Sequence, residues 1–364
     1  MTLRRLHDGC NDGLHPLESL NLAKVDSFAT LVRGMGKTAF GGRCLGEALD
    51  VLLAMIRDTD CGVIMTLSGA MTVAKQGSII REMIDRGMVA GIVSTGALVA
   101  HGLTESMGMI HYAAPDTHDS ALYANGYNRI YDTLEMEANL NEVADLVTNI
   151  LNRETPEDGI WSSARLCRTI GRHLDQLDYG TGILRSAWHR KVPVFIPAFT
   201  DCEMGLDLAT WAMGKTKLGT EAMGENDHPL PEALFTSTPS FNPFLDLQEY
   251  ARLVSGYPRL GIFTIGGGVP RNWAQQIGPY FEITCERLGA NLDIPRFGYG
   301  VRICPEPAHW GGLSGCTYAE GVSWGKFIPV EQGGRYAEVH ADATLVWPLL
   351  MKAVCEELDR TQET

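Results

Sequence analysis

The stretch G-I-F-T-I-G-G-G-V-P, residues 261–270, decides the architecture. Its first five residues are a short, mostly apolar and β-branched run, the pattern of a buried strand. Three glycines end the run, and Pro270 suits the opening of the amphipathic segment that follows, Trp273–Leu288. Similar apolar runs lie at Cys61–Thr66, Val89–Ser94 and Val192–Ala198. Segments with apolar residues three and four apart occupy Leu45–Arg57, Ile79–Arg86, Leu140–Asn152 and Trp161–Gln176. A short strand around Tyr336–His340 and a helix over Thr344–Leu358 close the chain. Apolar strands separated by helices predict an α/β fold, a mainly parallel sheet with helices on both faces, in one large domain.

Ligands of open α/β sheets bind outside the carboxyl ends of the strands. Those ends read L-S-G-A (67–70), S-T-G-A (94–97), F-T-D-C-E (199–203) and G-G-G-V-P (266–270). Small residues there let phosphates approach backbone N–H groups at helix N-termini. Glycine also serves any tight turn, so a single turn says little. Several in one chain favour a nucleotide. The stretch from Lys215 to Pro243, rich in Gly, Pro, Thr and Asn, reads as a long excursion of the functional kind.

The chain has 364 residues, 45% of them hydrophobic, and a net charge of −14. This is ample material for a core, and the charge favours a cationic small molecule over nucleic acid or an anionic membrane. The N-terminus has no long apolar segment, and the apolar runs are too short to span a bilayer. Nine scattered cysteines, never spaced C-x-x-C, suit free thiols in the cytoplasm.

Several motifs fail on inspection. G-M-G-K-T at 34–38 lacks the first glycine of a phosphate loop, where Leu31 stands. The triple glycine does not extend to G-x-G-x-x-G, because Arg271 occupies the last place. No H-E-x-x-H occurs, and no G-x-S-x-G marks a hydrolase elbow. His101, His111 and His118 have no ligand spacing and read as structural or surface residues, so no metal is assigned.

One cation stands apart. In A-E-G-V-S-W-G-K-F, residues 319–327, Lys326 follows Trp324 where other charges are sparse. Such a lysine either lays its stem along the ring for packing or is kept partly uncharged for chemistry.

These features together resemble the deoxyhypusine synthase family, over roughly Asn21 to Leu358 after an N-terminal extension of residues 1–20. The most specific match is E-G-V-S-W-G-K (320–326), followed by A-D-A-T-L-V (341–346). Supporting matches are T-D at 200–201, G-G-G-V-P at 266–270 and S-F-A-T-L-V-R-G-M-G-K-T-A-F at 27–40. The resemblance implies a Rossmann-like fold binding NAD, and a homotetramer with active sites at dimer interfaces. It implies transfer of an aminobutyl group from a polyamine such as spermidine, through a lysine imine, with no net redox change. By resemblance Lys326 is the imine-forming nucleophile, Trp324 a wall of the amine tunnel and Glu320 an amine-binding carboxylate. Ser68, Thr95, Asp201, Gly267, Gly268, Ser314, Ala341 and Asp342 fall on cofactor positions.

The amine pocket departs from the family pattern. T-D-G-S-x-G-D becomes T-D-C-E-M-G-L, which puts Leu206 in place of a carboxylate. D-G-S-D-S-G becomes W-G-G-L-S-G, with Trp310 and Leu313 in place of aspartates. The paired histidines after the triple glycine become Asn272 and Trp273, and an acidic pair becomes Ala100-His101. Asn272 and His309 are assigned to substrate binding in the altered pocket; Glu203, Asp207 and Glu306 could supply new carboxylates. Polyamine ammonium groups in a partly dry tunnel need such partners. The expected acceptor is therefore a small amine, giving a homospermidine-type product. The alternatives are a true deoxyhypusine synthase acting on a translation-factor lysine, a non-catalytic NAD-binding homologue, and an amine dehydrogenase that releases NADH.

Overall fold

The computed structural model describes residues 6–116, 118–216 and 231–362. Its strands are β1 (Cys61–Leu67), β2 (Gly91–Ser94), β3 (Tyr112–Ala113), β4 (Tyr127–Ile130), β5 (Thr133–Met136), β6 (Val194–Phe195), β7 (Arg259–Ile265), β8 (Phe297–Ile303) and β9 (Arg335–Val339). Six form one parallel sheet in the order β6-β2-β1-β7-β8-β9. In order of appearance this is the 3-2-1-4-5-6 arrangement of doubly wound dinucleotide folds. The chain runs outward from β1 to one edge, then returns to β7 and runs to the other. The reversal lies between β1 and β7, where the expected crevice opens.

The helices are α1 (Phe28–Gly36), α2 (Phe40–Arg57), α3 (Gly77–Asp85), α4 (Gly96–Ser106), α5 (Asp119–Ala124), α6 (Glu137–Arg153), α7 (Ser163–Gln176) and α8 (Ile183–Arg190). They continue as α9 (Glu203–Gly214), α10 (Pro231–Thr236), α11 (Pro243–Ser255), α12 (Gly268–Gln275), α13 (Ile277–Leu288), α14 (Tyr318–Ser323) and α15 (Ala343–Gln362).

Side-chain alternation along the strands divides the core in two. Val63, Met65 and Leu67 of β1 join Phe263 and Ile265 of β7 in one cluster, while Ile64 and Ile262 belong to another. Both faces of the sheet are therefore covered, which accounts for the unbroken apolar strands. Thr66 and Thr264, fully buried, satisfy each other across β1 and β7 at 2.8 Å.

Differences from the sequence expectation have local causes. The segment Val192–Ala198 contributes only Val194 and Phe195 to the sheet. Pro193 and Pro197 flank that pair and donate no ladder hydrogen bond, and β6 is an edge strand. The helix expected from Trp161 begins at Ser163, because Ser162 is its N-cap and accepts from Arg165 N. The expected Trp273–Leu288 helix is two helices that meet at Gln276. The first begins at Gly268, so Pro270 lies in its first turn, where its missing N–H costs nothing. A small antiparallel sheet, β3-β5-β4, stands between α4 and α6 and was not anticipated. Part of the Lys215–Pro243 excursion, residues 217–230, lies outside the described residues.

Candidate active site

Register builds the crevice. Leu67 pairs with Ile265, so Ser68 and Gly266 leave the sheet side by side. Ser68 N donates to Ile265 O at 3.1 Å, and the Ser68 hydroxyl accepts from Gly267 N at 2.8 Å. A β-carbon on Gly267 would fall 2.5 Å from Ser314 Cα. Only glycine allows the loop carrying Ser314 to lie on this turn. Gly268 has φ +62°, the left-handed region, with open space beyond it. Ser68, Gly267 and Ser314 are thus in contact at this turn, and Gly268 follows at the start of α12.

Thr95 enters from β2, its N–H on Leu67 O at 3.2 Å. Its hydroxyl is buried and has no hydrogen-bond partner, and it does not cap α4 although it sits at the N-cap. A buried hydroxyl without a partner is costly, and a ligand oxygen at this helix N-terminus would satisfy it. Ala341 and Asp342 follow β9; the Asp342 carboxylate accepts from Thr344 N at 2.7 Å and Thr344 Oγ1 at 2.8 Å. Gln76, in the loop after β1, donates to Thr344 O at 3.0 Å, so the start of α15 is fastened to that loop. Asp201 is exposed in the turn before α9. The glycine cradle and the unpaired Thr95 hydroxyl fit a dinucleotide of the NAD type.

The lysine site shares one helix with this cradle. α12 starts at Gly268 and carries Asn272 one turn later, whose Oδ1 accepts a hydrogen bond from Lys326 Nζ at 3.0 Å. Lys326 follows α14, and its stem is buried, with 8% of the residue exposed. Phe297 N donates to its carbonyl at 3.0 Å, which ties the segment to the start of β8. Gly325 turns at φ +69°, where a β-carbon would strike the Glu282 carboxylate at 2.7 Å. Nζ stands 5.9 Å from the Trp324 ring centroid. Burial lowers the Lys326 pKa first of all; the neighbouring Cys316 thiol opposes this, the Arg271 charge adds to it, and Glu320 opposes it.

Other assigned residues are placed less closely. Glu320 sits in the first turn of α14 and is exposed, with Cys316 beside it. His309 is exposed in a 3₁₀ turn, its ring edge-on to Trp310. Trp273 packs in the core against Phe195 and Tyr250, so it plays no polar part. Leu206, Trp310, Leu313 and Trp324 are all more than half exposed in the single chain.

Two buried arginines were missed by sequence reasoning. Arg271 donates to Cys316 O at 2.7 Å and lies 5.4 Å from the Tyr318 ring centroid. Arg302 donates to the carbonyls of Ser314 and Cys316 and pairs with Glu338 at 2.9 Å. Together they hold the segment between Ser314 and Lys326 in place. Their only sequence signal is a charge within an otherwise apolar strand or helix face.

Asp207 lies one turn beyond Glu203 on α9. Burial, with repulsion from Glu203, pushes its pKa up to about 6. One Glu203 oxygen is buried without a partner.

Comparison with known proteins places the chain in a family. The family model of deoxyhypusine synthase matches residues 30–354. A probable deoxyhypusine synthase 2 of Methanosarcina acetivorans is 32% identical over 336 residues, 92% of this chain and 88% of that protein. A deoxyhypusine synthase-like protein of Chlorobaculum parvum is 31% identical, again over 92% of this chain and 88% of its own. In fold, the chain is similar to a crystal structure from Entamoeba histolytica described as a deoxyhypusine synthase. The TM-score is 0.54, at 14% identity, covering 93% of this chain and 96% of that one. The match runs along most of the sequence, through the doubly wound sheet and the segments that carry the glycine turn and Lys326: this chain belongs to the deoxyhypusine synthase family.

Proposed function

We propose that the protein is an NAD-dependent aminoalkyl transferase that carries its cargo as an imine on Lys326. The observation that supports this best is the environment of Nζ: buried stem, lowered pKa and a single amide acceptor in place of a carboxylate. A nucleophilic amine must be neutral, and Asn272 can orient it without stabilising the ammonium form as a carboxylate would.

Ser68, Thr95, Asp201, Gly267, Gly268, Ser314, Ala341 and Asp342 would hold NAD. When bound, NAD takes a hydride from the donor amine and returns one at the end, so transfer needs no outside oxidant. The donor, a polyamine such as spermidine, is thereby an imine when Lys326 attacks. Nζ adds to the imine carbon, the departing diamine leaves with its nitrogen, and the butyl unit remains as a lysine imine. An acceptor amine then adds to that carbon and Lys326 leaves as a free amine. One Nζ hydrogen stays on Asn272 Oδ1, so the nitrogen lone pair is directed elsewhere. Trp324 offers its face to methylenes or an ammonium group. Glu320 and His309 are assigned to the amine's far end.

Leu206, Trp310 and Leu313 stand where the family has carboxylates, so we read the acceptor as a small amine and the product as homospermidine-like. The exposed apolar side chains around this region support a homotetramer whose partner subunit closes the tunnel. The cysteines in the described residues are all free, in keeping with a cytoplasmic setting. Among the described residues no helix is long and apolar enough to cross a membrane.

The test is borohydride trapping of enzyme mixed with NAD and spermidine, putrescine or agmatine, followed by peptide mass analysis. An adduct at Lys326 is expected; its absence with all three donors rejects the mechanism. Offering a protein or a small-amine acceptor and weighing the products decides between acceptors.

A further inference from the structure

Away from the lysine, three buried polar side chains from separate elements meet. His101 comes from α4, His111 from the segment entering β3, and Glu135 from β5. His101 and His111 are each 8% exposed, and Glu135 is 0% exposed. The two carboxylate oxygens of Glu135 are used differently. Oε1 accepts from Asn139 Nδ2 at 2.9 Å. Oε2 faces both rings, 3.1 Å from His101 Nδ1 and 2.5 Å from His111 Nε2, with the Thr104 hydroxyl at 3.4 Å.

The His111 contact is the informative one. At 2.5 Å an N–H···O bond should be close to linear, yet Nε2 has no hydrogen-bond partner. The direction of the ring nitrogen therefore misses the oxygen beside it. Two imidazoles and a carboxylate, buried and drawn from separate elements, converge with donor atoms within 4.8 Å of one another, as the ligands of a single ion do. We propose that His101 Nδ1, His111 Nε2 and Glu135 Oε2 form a binding site for a divalent transition ion of the zinc class.

The donor set fits. Two imidazoles and a carboxylate suit zinc, at about 2.0 to 2.2 Å from each ligand. No ligand atom lies more than 4.8 Å from another. Ligands of a tetrahedral ion at these distances lie about 3.4 Å apart, so loading needs the His111 ring to draw back from Oε2 and the wider pairs to close. Asn139 on Oε1 fixes the carboxylate as an outer partner should.

Lys75 is the group that must yield. Its Nζ is 2.7 Å from His111 Nδ1 and 3.5 Å from Glu105. As an ammonium it donates to Nδ1, which leaves the ring proton on Nε2. Ligation requires the opposite tautomer. The ion's charge repels the ammonium, which swings to Glu105 while the ring proton moves to Nδ1. His101 likewise moves its proton to Nε2, so no proton is lost overall. A cavity of about 400 Å³ lined by Lys75, Gly102, Glu105 and Ser106 gives the room and the solvent for this exchange. The bound ion would staple α4 and the small antiparallel sheet together.

The test uses the intact protein, stripped with a chelator and then offered Zn²⁺ or Co²⁺. Equilibrium dialysis with metal mass spectrometry is expected to find about one ion per chain. Co²⁺ is expected to give a visible band without thiolate charge transfer, which separates this site from the free cysteines. His111→Ala and Glu135→Gln should each weaken binding by about a hundredfold or more. No retained ion, a thiolate signature, or unchanged affinity in folded variants each overturns the proposal. If a variant fails to fold, the wild-type Co²⁺ spectrum decides alone.

Discussion

Lys326 Nζ donates to Asn272 Oδ1 across 3.0 Å, an ammonium-capable group held by a neutral amide. Burial already lowers the lysine's pKa, so neutral amine becomes abundant at a lower pH than for a free lysine. Asn272→Asp places a carboxylate there, favours the ammonium and raises the pKa. The rate of borohydride trapping should then rise with pH along a curve displaced to higher pH. Asn272→Leu should leave the curve near its original position and lower the rate by about ten- to a hundredfold through lost orientation. An unmoved pH profile in the aspartate variant would show that the amide does not govern the lysine.

Lys326→Ala removes the imine carrier. Transfer should fall by more than about a thousandfold, with NAD binding retained. The pair of measurements separates a transferase from an NAD-binding homologue, in which the lysine would matter to neither. Turnover that released NADH would instead indicate the dehydrogenase.

Gly267→Ala tests the cradle. The added carbon meets Ser314 Cα at 2.5 Å, so the Ser314 loop or the glycine turn must shift. Overpacking of this kind costs about 1 to 3 kcal/mol. Melting temperature should fall and NAD affinity should fall with it, read by thermal denaturation and NAD titration. Equal affinity in a destabilised variant would move the cofactor away from this turn.

Thr95→Val tests the unpaired hydroxyl. Without ligand, the variant should be as stable as the parent or slightly more so, because a buried group lacking a partner is removed. With NAD it should lose about 1 kcal/mol of binding, the worth of one hydrogen bond. A loss of unliganded stability would mean that the hydroxyl serves the fold.

Asp207 makes a prediction about pH. Its folded pKa of about 6 is above the ordinary 3.8. The folded state therefore holds the proton more tightly than the unfolded state. This favours folding below pH 3.8, and the benefit is lost as pH rises through 6. Relative to the parent, Asp207→Asn should gain on the order of 1 kcal/mol at pH 7 and little at pH 3.5, discounted for partial exposure. Denaturant melts at the two pH values check this.

The strands legible in the sequence were β1, β2 and β7 of the interior and, in part, β6 and β9 at the two edges. β1 and β7 are buried on both faces, so their apolar runs were unbroken. β8, Phe297–Ile303, escaped notice because two glycines, a tyrosine and the buried Arg302 interrupt its pattern. The small antiparallel strands are two to four residues long and partly exposed, too short to show a period. The stretch around Lys326 was legible through its motif, not its periodicity. The arginine clamps and the His101–His111–Glu135 meeting depend on contacts between distant segments, which spacing along the chain cannot reveal. Glu135 was invisible for that reason, and the two histidines looked ordinary.

The eight residues of α12 begin at the glycine cradle and carry the amide that holds Lys326. In the proposed transferase, hydride position and nucleophile position would therefore both be set by this one helix. Leu206, Trp310 and Leu313, which depart from the family, lie on other segments and face outward. In the proposed transferase such an arrangement would let a lineage exchange the amine it accepts by editing peripheral side chains, while the spacing between cofactor cradle and carrier lysine is inherited unchanged.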